Sequence, residues 1–302
     1  MQRVDTMVEL SHMEYSRENY AECLALCEAA KELIDVNENS ANKLSLAHIN
    51  MGIGWSLGQM ERYEAAAEAS KAAGDLYLEL GDFQYAKSMN TAGDFYLYAR
   101  QWHVALDCYQ SILREAVADT EPLDIAIALS NSALALAKLK RYQESISTFK
   151  EARAHYKKLR DVENVGFCDS EIARCYAELG EGLYAEAFAS SALDIAETMD
   201  KLSRLIWAKY RLARAFQVQG RHEEAIAKFA EAIRDMNLSP NPWIDKVIFA
   251  EMYVARSLRA LKRYEEATEI ERRLRNVAEI ALDEHQLNDW LELLPQGTFL
   301  NV

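Results

Sequence analysis

Histidine, cysteine and glycine are the residues of this sequence whose chemistry could support catalysis or metal binding, but their spacing favours neither. The six histidines are scattered and form no HExxH or other metal-binding spacing. Cys23 and Cys27 lie one helical turn apart, but no second pair of ligands follows nearby. Gly52 and Gly54 lie inside an apolar helical pattern, which favours close helix packing over phosphate binding. We therefore predict no catalytic residue, no metal site and no cofactor, and a protein that is not an enzyme.

Arginine is the residue type whose pattern does suit binding. In the C-terminal half of the chain, helical spacing points five arginines, interleaved with two tyrosines, to one surface: Arg174, Tyr210, Arg211, Arg214, Tyr253, Arg256 and Arg259. Guanidinium groups pair bidentately with carboxylates or phosphates, and aromatic neighbours add apolar contact. Because the chain has 48 acidic against 34 basic residues and a net charge of −14, this is a local reversal of charge.

Three interpretations of this arginine pattern remain open. The first is a site for an acidic or phosphorylated segment, or for a chain-terminal carboxylate. In the second, the arginines pair with glutamates of the same chain and only solvate that face; the candidate partners are Glu171, Glu178, Glu223 and Glu251. The third is a contact between two copies of the chain.

The overall composition narrows the classes of partner and the compartment. The net charge of −14 disfavours a general electrostatic grip on DNA or RNA. No stretch reaches the roughly 20 apolar residues that a membrane span needs, and the first residues lack the apolar run of a signal peptide. Five cysteines, an odd number placed inside helical patterns, suit reduced thiols. We expect a cytoplasmic protein that binds neither nucleic acid nor membrane.

A four-residue motif recurs along the chain: a ring-bearing residue, two further residues, and a small residue that opens an apolar helix face. It occurs at Tyr20–Cys23, Tyr63–Ala66, Trp102–Ala105, Tyr142–Ser145, Tyr184–Ala187, His222–Ala225 and Tyr264–Ala267. Successive motifs begin 43, 39, 40, 42, 38 and 42 residues apart. This regularity predicts seven repeats.

A second helix is indicated before each motif. Another small residue lies twelve positions before the motif's small residue, at Ser11, Gly54, Gly93, Ala133, Ala213 and Ala255. A large apolar residue follows three positions later in all but the first unit, as Leu57, Tyr96, Leu136, Tyr176, Phe216 and Leu258. Small residues let two helices approach closely, and the large one fills the space beside them. In the fifth unit the match is Ala173, fourteen positions before Ala187, which predicts a turn two residues longer at Gly180–Gly182.

With these two helices per unit, residues 5–281 resemble the tetratricopeptide repeat family, in a version with longer repeats than the usual 34 residues. The resemblance implies an all-α, right-handed superhelical solenoid of about seven helix-turn-helix repeats. We expect one solenoid domain over residues 1–294, followed by a flexible tail at 295–302. The expected repeats are 3–36, 42–80, 83–118, 122–159, 162–199, 202–236 and 243–281. Residues 283–294 form an amphipathic helix that should cap the last repeat.

The resemblance also implies where a partner would bind. In such arrays the first helix of each repeat lines a concave groove, and asparagines there often hydrogen-bond a bound backbone. Asn90 and Asn131 hold such places in the N-terminal half, and together with Lys87 they match a carboxylate-clamp pattern only in part. Together with the arginines and tyrosines above, they are the predicted partner-binding residues of the groove.

Three functions fit this interpretation. The first is an adaptor or regulatory scaffold that binds a protein or peptide segment, such as an extended acidic or phosphorylated stretch or a partner helix. The second is an intracellular receptor for a short signalling peptide, although the sequence before the first repeat is too short for the effector module that such receptors usually carry. The third is a structural homo-oligomer, for instance a homodimer.

Overall fold

The computed structural model describes residues 2–34, 40–115, 120–199, 201–240 and 243–293, and everything described is helix or short turn. The chain divides into two compact units, unit 1 over Met1–Arg160 and unit 2 over Asp161–Val302. The described helices of unit 1 are α1 (Gln2–Ser16), α2 (Tyr20–Glu32), α3 (Ser40–Gln59), α4 (Tyr63–Leu80), α5 (Gln84–Tyr98), α6 (Trp102–Glu115), α7 (Pro122–Lys138) and α8 (Tyr142–Lys158). Those of unit 2 are α9 (Val162–Glu178), α10 (Gly182–Glu197), α11 (Leu202–Val218), α12 (His222–Leu238), α13 (Ile244–Ala260), α14 (Tyr264–Ala281) and α15 (Glu284–Leu293).

The all-α class and the helix-pair repeat are confirmed. Unit 1 holds four helix pairs and unit 2 holds three, with α15 packed on the last pair. Within each unit, every second helix packs both on its own first helix and on the first helix of the following pair. This is the nearest-neighbour stacking of a helical repeat solenoid. The single-domain boundary at 294 and the tail at 295–302 stay predictions, because residues 294–302 lie outside the described part. The handedness of the array also stays a prediction.

Each unit has an inner surface made by first helices. In unit 1, α1 contacts α3, α3 contacts α5 and α5 contacts α7; in unit 2, α11 contacts both α9 and α13. The second helices make no comparable contact with one another in the described residues. A stack whose first helices lie closer together than its second helices curves toward the first helices, so these line the inner side of each unit.

The turn between the two helices of a pair has one conformation throughout. A residue with positive φ stands two positions before each second helix, at Glu18, Glu61, Arg100, Lys140, Gly180, Gly220 and Lys262. After it, a backbone N–H returns to a carbonyl of the first helix; that of Arg141, for example, donates to Leu136 at 2.9 Å. This is the hydrogen bond that closes a helix C-terminus with a left-handed residue.

The predicted small residues lie where the two helices of a pair touch. Gly93 is one of them: a Cβ atom added there would collide with the Tyr109 ring of α6. In the fourth pair the Ser145 hydroxyl donates to the Ala133 carbonyl at 2.7 Å, which joins the two small positions directly. The large residues that follow are buried at 9 % exposure or less, namely Leu57, Tyr96, Leu136, Tyr176, Phe216 and Leu258.

The fifth pair departs from the predicted register. α10 begins at Gly182, after the same turn as in the other pairs, and the small residue at its interface is Ala185. Ala185 is twelve residues after Ala173 and fully buried, whereas Ala187 is exposed. The turn is therefore not two residues longer. Gly182 stands where other pairs carry a ring, because a side chain there would collide with Gln219.

Leucine substitutions at these two alanines test the corrected register. Ala185→Leu is expected to destabilise unit 2 by about 1–3 kcal/mol, because extra methylenes do not fit a filled helix interface. Ala187→Leu, two residues away and exposed, is the matched control and is expected to change stability by less than about 0.5 kcal/mol. Thermal melting of both variants is the measurement. A larger loss of stability in Ala187→Leu than in Ala185→Leu would instead support the register predicted from sequence, with the motif at Tyr184–Ala187.

The C-terminal helix covers the end of the last pair. α15 packs on α13 and α14, and its Trp290 is 1 % exposed against Met252 and Leu274. Asp283 caps the helix: its carboxylate accepts from the Gln286 backbone N–H at 2.8 Å, and the Gln286 side chain accepts from the Asp283 N–H at 3.1 Å. Leu294, the last residue of the predicted cap, lies outside the described residues.

Hydropathy along the described helices provides no candidate for a membrane span, since none of them is both long and apolar enough.

Candidate functional site

The inner surface is only partly accessible, and its accessibility follows a fixed register. The position three residues before each small packing residue is buried, as at Met51, Asn90, Ser130, Ser170, Tyr210 and Met252. The positions one residue after and six residues before the small packing residue are at least partly exposed, as at Arg174 and Trp207. Asn90 and Tyr210, which the sequence placed in the groove, are therefore buried at 6 % and 8 % exposure rather than presented to a partner.

In unit 1 the predicted groove residues hold neighbouring repeats together. The Lys87 ammonium lies 3.1 Å from the Glu121 carboxylate, and the Asn90 amide donates to the Asp124 carbonyl at 3.2 Å. The Asn131 amide donates to an Asp94 carboxylate oxygen at 2.8 Å. Each of these contacts joins α5 to the start or the middle of α7. All three side chains are thus engaged within the chain, and none is free to capture a peptide backbone without giving up that contact.

Asp94 is the partly buried acid at the centre of this arrangement. Its Oδ1 atom also accepts from the Tyr109 hydroxyl at 2.7 Å. Burial raises the pKa of Asp94 to about 6, although the hydrogen bond from Tyr109 acts in the opposite direction. The fold therefore destabilises the ionised form of Asp94 relative to the unfolded chain.

In unit 2 the central feature is one carboxylate shared by two arginines. Glu171 of α9 accepts from Arg174 on the same helix at 2.7 Å and from Arg211 of α11 at 2.9 Å. Burial alone would raise the pKa of Glu171, but the two guanidinium groups outweigh it and lower the pKa to about 2. The Arg211 guanidinium also lies over the Trp207 ring, 4.8 Å from its centroid. One negative charge thus serves two cations on the same surface.

Arg214 is fixed on three sides. It donates to the Gln217 side chain at 2.6 Å and to Glu178 at 3.2 Å, and its guanidinium lies 4.0 Å from the centre of the Tyr253 ring. Gln217 in turn donates to the Tyr253 carbonyl at 2.7 Å, which joins α11 to α13. Tyr253 is therefore a platform for arginine rather than a free aromatic contact.

Arg256 and Arg259 differ from each other. Arg256 is exposed, lies 5.9 Å from the centre of the Tyr253 ring, and has no carboxylate partner among the described residues. Arg259 turns to the second helix of its own pair, where it binds the buried Glu271 of α14 at 2.5 Å. Arg259 is therefore a link inside the last repeat and does not extend the lining of the inner surface.

The inner surface of unit 2 keeps a positive charge after this pairing. Arg174, Arg211, Arg214 and Arg256 lie beside two carboxylates, Glu171 and Glu178. The other two glutamates considered as partners pair elsewhere: Glu223 with Arg263 and Glu251 with Arg273. Pairing within the chain thus accounts for part of the arginine pattern and leaves an excess of two cations.

Sequence reasoning missed Glu163 and Arg204, which form a second shared ion group about two helical turns before the first. The Glu163 carboxylate pairs with Lys201 and, at 3.2 Å, with Arg204. A signal was present in the sequence, because residues about one repeat length apart face each other on adjacent first helices. Glu163 and Arg204 are 41 residues apart, and Glu171 and Arg211 are 40 apart.

No protein-family model matches the sequence, and no curated protein matches it. Solved structures do. A Rap protein, solved in complex with the competence and sporulation factor, matches with a TM-score of 0.61 and 14 % identity, over 97 % of this chain and 87 % of that one. The apo form of RapI matches with a TM-score of 0.65 and 12 % identity, over 96 % and 98 % of the two chains.

A third similar structure is a signal transduction ATPase of the STAND class from Pyrococcus horikoshii, which carries a tetratricopeptide repeat sensor. Its TM-score is 0.69 at 14 % identity, over 94 % of this chain and 44 % of that protein. At these identities the likeness is one of fold. The fold is that of tetratricopeptide-type helical repeats, as the repeat pattern predicted.

Proposed function

We propose that this chain is a non-enzymatic binding scaffold, and that the inner surface of unit 2 holds an acidic segment of a partner protein or peptide. The observation that carries the proposal is the uneven pairing on that surface, where three arginines share two carboxylates and a fourth, Arg256, has no carboxylate partner among the described residues. In a chain of net charge −14, most other surfaces would repel such a segment. An acidic partner is therefore directed to unit 2.

The geometry of the arginines favours binding over simple solvation. Arg214 and Arg211 are already held by hydrogen bonds and by aromatic rings, so binding costs little further side-chain entropy. Arg256 is exposed beside them, with its guanidinium free of carboxylate partners in the described structure. Fixed guanidinium groups beside aromatic rings recognise carboxylates and phosphates more selectively than mobile surface lysines do.

A short signalling peptide is a second candidate occupant of the same surface. The observation that favours it is the similarity over 97 % of this chain to a Rap protein that was solved with a bound factor. Both candidates require binding on the first helices. A homo-oligomer would instead show itself as a concentration-dependent mass in solution.

Reversal of charge at Arg256 tests the proposal with little risk to the fold. The probes are two fluorescein-labelled peptides, one alternating glutamate with tyrosine and the other alternating lysine with tyrosine. The acidic peptide is expected to bind and the basic one not. Arg256→Glu is expected to weaken binding by about tenfold or more, because a favourable contact becomes a repulsive one. Fluorescence anisotropy at low and high salt measures it, and the melting temperature should not change.

The matched control is Lys157→Glu with Lys158→Glu, two exposed lysines at the end of the second helix α8 in unit 1. This pair changes the net charge more than Arg256→Glu does but lies on another surface, so binding should be nearly unchanged. If the lysine pair abolishes binding and Arg256→Glu does not, the acidic segment binds elsewhere and the proposal is rejected.

A further inference from the structure

Unit 2 contains a cavity of about 250 Å³ between α9, α10 and α11. One wall is a stripe along α9 with Glu163, Phe167 and Glu171, and the facing wall is a stripe along α11 with Arg204, Trp207 and Arg211. Each stripe has a charged group at either end and an aromatic ring between them. The third side is apolar and is formed by Ala192, Ile195 and Ala196 near the C-terminal end of α10 and by Met199 just after it.

The two ends of the cavity carry the same kind of ion group. At one end Glu171 holds Arg174 and Arg211, and at the other Glu163 holds Lys201 and Arg204. Each group has two cations for one carboxylate. The cavity is therefore flanked by an excess of positive charge at both ends, which complements an anionic ligand.

Arg211 has unused hydrogen-bonding capacity at this site. Its Nη2 atom donates to Glu171, while its Nε–H is buried and has no hydrogen-bond partner in the described part of the chain. The Arg211 guanidinium is therefore under-satisfied, and a ligand acceptor that hydrogen-bonds to it would offset part of its desolvation cost. The aromatic and aliphatic walls, in turn, would cover an apolar group of the same ligand.

We propose that this cavity binds a carboxylate carried beside one large apolar group, as in the C-terminal residue of a peptide or a free aromatic acid. The carboxylate is held by the surplus cation of an ion group, and the apolar group lies between Phe167 and Trp207. The size fits: a cavity of about 150 Å³ holds benzene, so this one has room for an aromatic ring and a carboxylate. The inference deepens the proposed function and rests on it, because Arg211 belongs to the same inner surface.

The test uses N-acetyl-L-phenylalanine as the probe, its primary amide as the uncharged control, and isothermal titration calorimetry on the full chain. The acid is expected to bind at least about tenfold more tightly than the amide, because charge-assisted hydrogen bonds are roughly twice as strong as neutral ones. A peptide ending in phenylalanine, compared with its C-terminal amide, distinguishes the two sources. Binding much tighter than that of N-acetyl-L-phenylalanine assigns the site to a peptide end, and equal binding assigns it to a free acid.

Two variants remove surplus cations without leaving a carboxylate unpaired. In Arg211→Met, Glu171 keeps Arg174, and in Arg204→Met, Glu163 keeps Lys201. Each is expected to fold normally, and the variant at the end that holds the ligand carboxylate is expected to bind the acid at least about tenfold more weakly. Lys228→Met is the matched control, because Lys228 pairs with Glu231 on the second helix α12, outside the residues that line the cavity.

Equal binding of acid and amide, or unchanged binding in both arginine variants, overturns the inference. The proposed function fails separately, since it depends on the extended acidic peptide and on Arg256. If N-acetyl-L-phenylalanine binds while the acidic peptide does not, only the acidic-segment proposal is rejected; the reverse result rejects only the cavity.

Discussion

Glu171→Gln is expected to lower the free energy of unfolding of unit 2 by about 3–5 kcal/mol, because it leaves two largely buried arginines without their shared carboxylate. Glu171 is 8 % exposed, and Arg211 is nearly as buried. Removing one partner of a buried ion pair costs more than the pair contributes, since the remaining charge keeps its desolvation penalty. Native-state hydrogen exchange of the α9 and α11 amides measures the loss locally, as suits a repeat stack that opens in parts.

The pKa of Glu171 gives the pH range of this contribution. The pKa is lowered to about 2 from 4.5. A carboxyl group whose pKa is lower in the folded chain stabilises the fold at pH values above its unfolded pKa. The contribution of Glu171 is therefore complete above about pH 4.5 and is lost as the pH falls toward 2. At 1.36 kcal/mol per pKa unit, the lowering of the Glu171 pKa corresponds to about 3 kcal/mol of folding stability, which agrees with the loss expected for Glu171→Gln.

Two further variants test whether the loss of stability in Glu171→Gln comes from the ion group of Glu171, Arg174 and Arg211. Glu224→Gln removes an exposed carboxylate of α12 that pairs with Arg221, and no measurable loss is expected. Adding Arg211→Met to Glu171→Gln removes one of the two stranded charges, so it should recover part of the stability. If the double variant is less stable than Glu171→Gln alone, the shared-carboxylate explanation is wrong.

The repeat architecture could be predicted from sequence because it depends on local patterns. Small residues twelve positions apart fix both the turn and the helix interface within each pair. The one register error arose at Tyr184, an exposed ring that stacks on Tyr176 and imitates the motif. The true marker, the buried Ala185, differs from the exposed Ala187 only in burial. A ring is an indirect sign of the turn, whereas the small residue is its steric requirement.

The site was predicted less completely, because its state depends on pairing between repeats. Helical periodicity correctly brought Arg174, Arg211 and Arg214 onto first helices, but it did not show that Glu171 and Glu178 partly neutralise them. Nor did it show that Tyr210 is covered by the adjacent helix. Such facts depend on the rotation and spacing of neighbouring first helices, which no single repeat specifies.

Asp94→Asn is expected to have the opposite effect to Glu171→Gln and to stabilise unit 1. Both Tyr109 and Asn131 donate to the same oxygen of Asp94, and an amide oxygen at that place would accept both hydrogen bonds. The substitution therefore keeps the geometry and removes only the partly buried charge. The penalty for that charge is visible in the pKa of Asp94, which burial raises from 3.8 to about 6.

The sign of the pH dependence follows from that raised pKa. Between about pH 3.8 and 6 the folded chain binds more protons at Asp94 than the unfolded chain does, so ionisation of Asp94 destabilises the fold as the pH rises. Asp94→Asn is then expected to raise the free energy of unfolding by about 2–3 kcal/mol at pH 7 and to change it little at pH 3. Urea unfolding at the two pH values, with exposed Asp107→Asn as the control, measures the difference. An equal gain at both pH values would mean that packing, and not the charge of Asp94, limits the stability of α5 and α7.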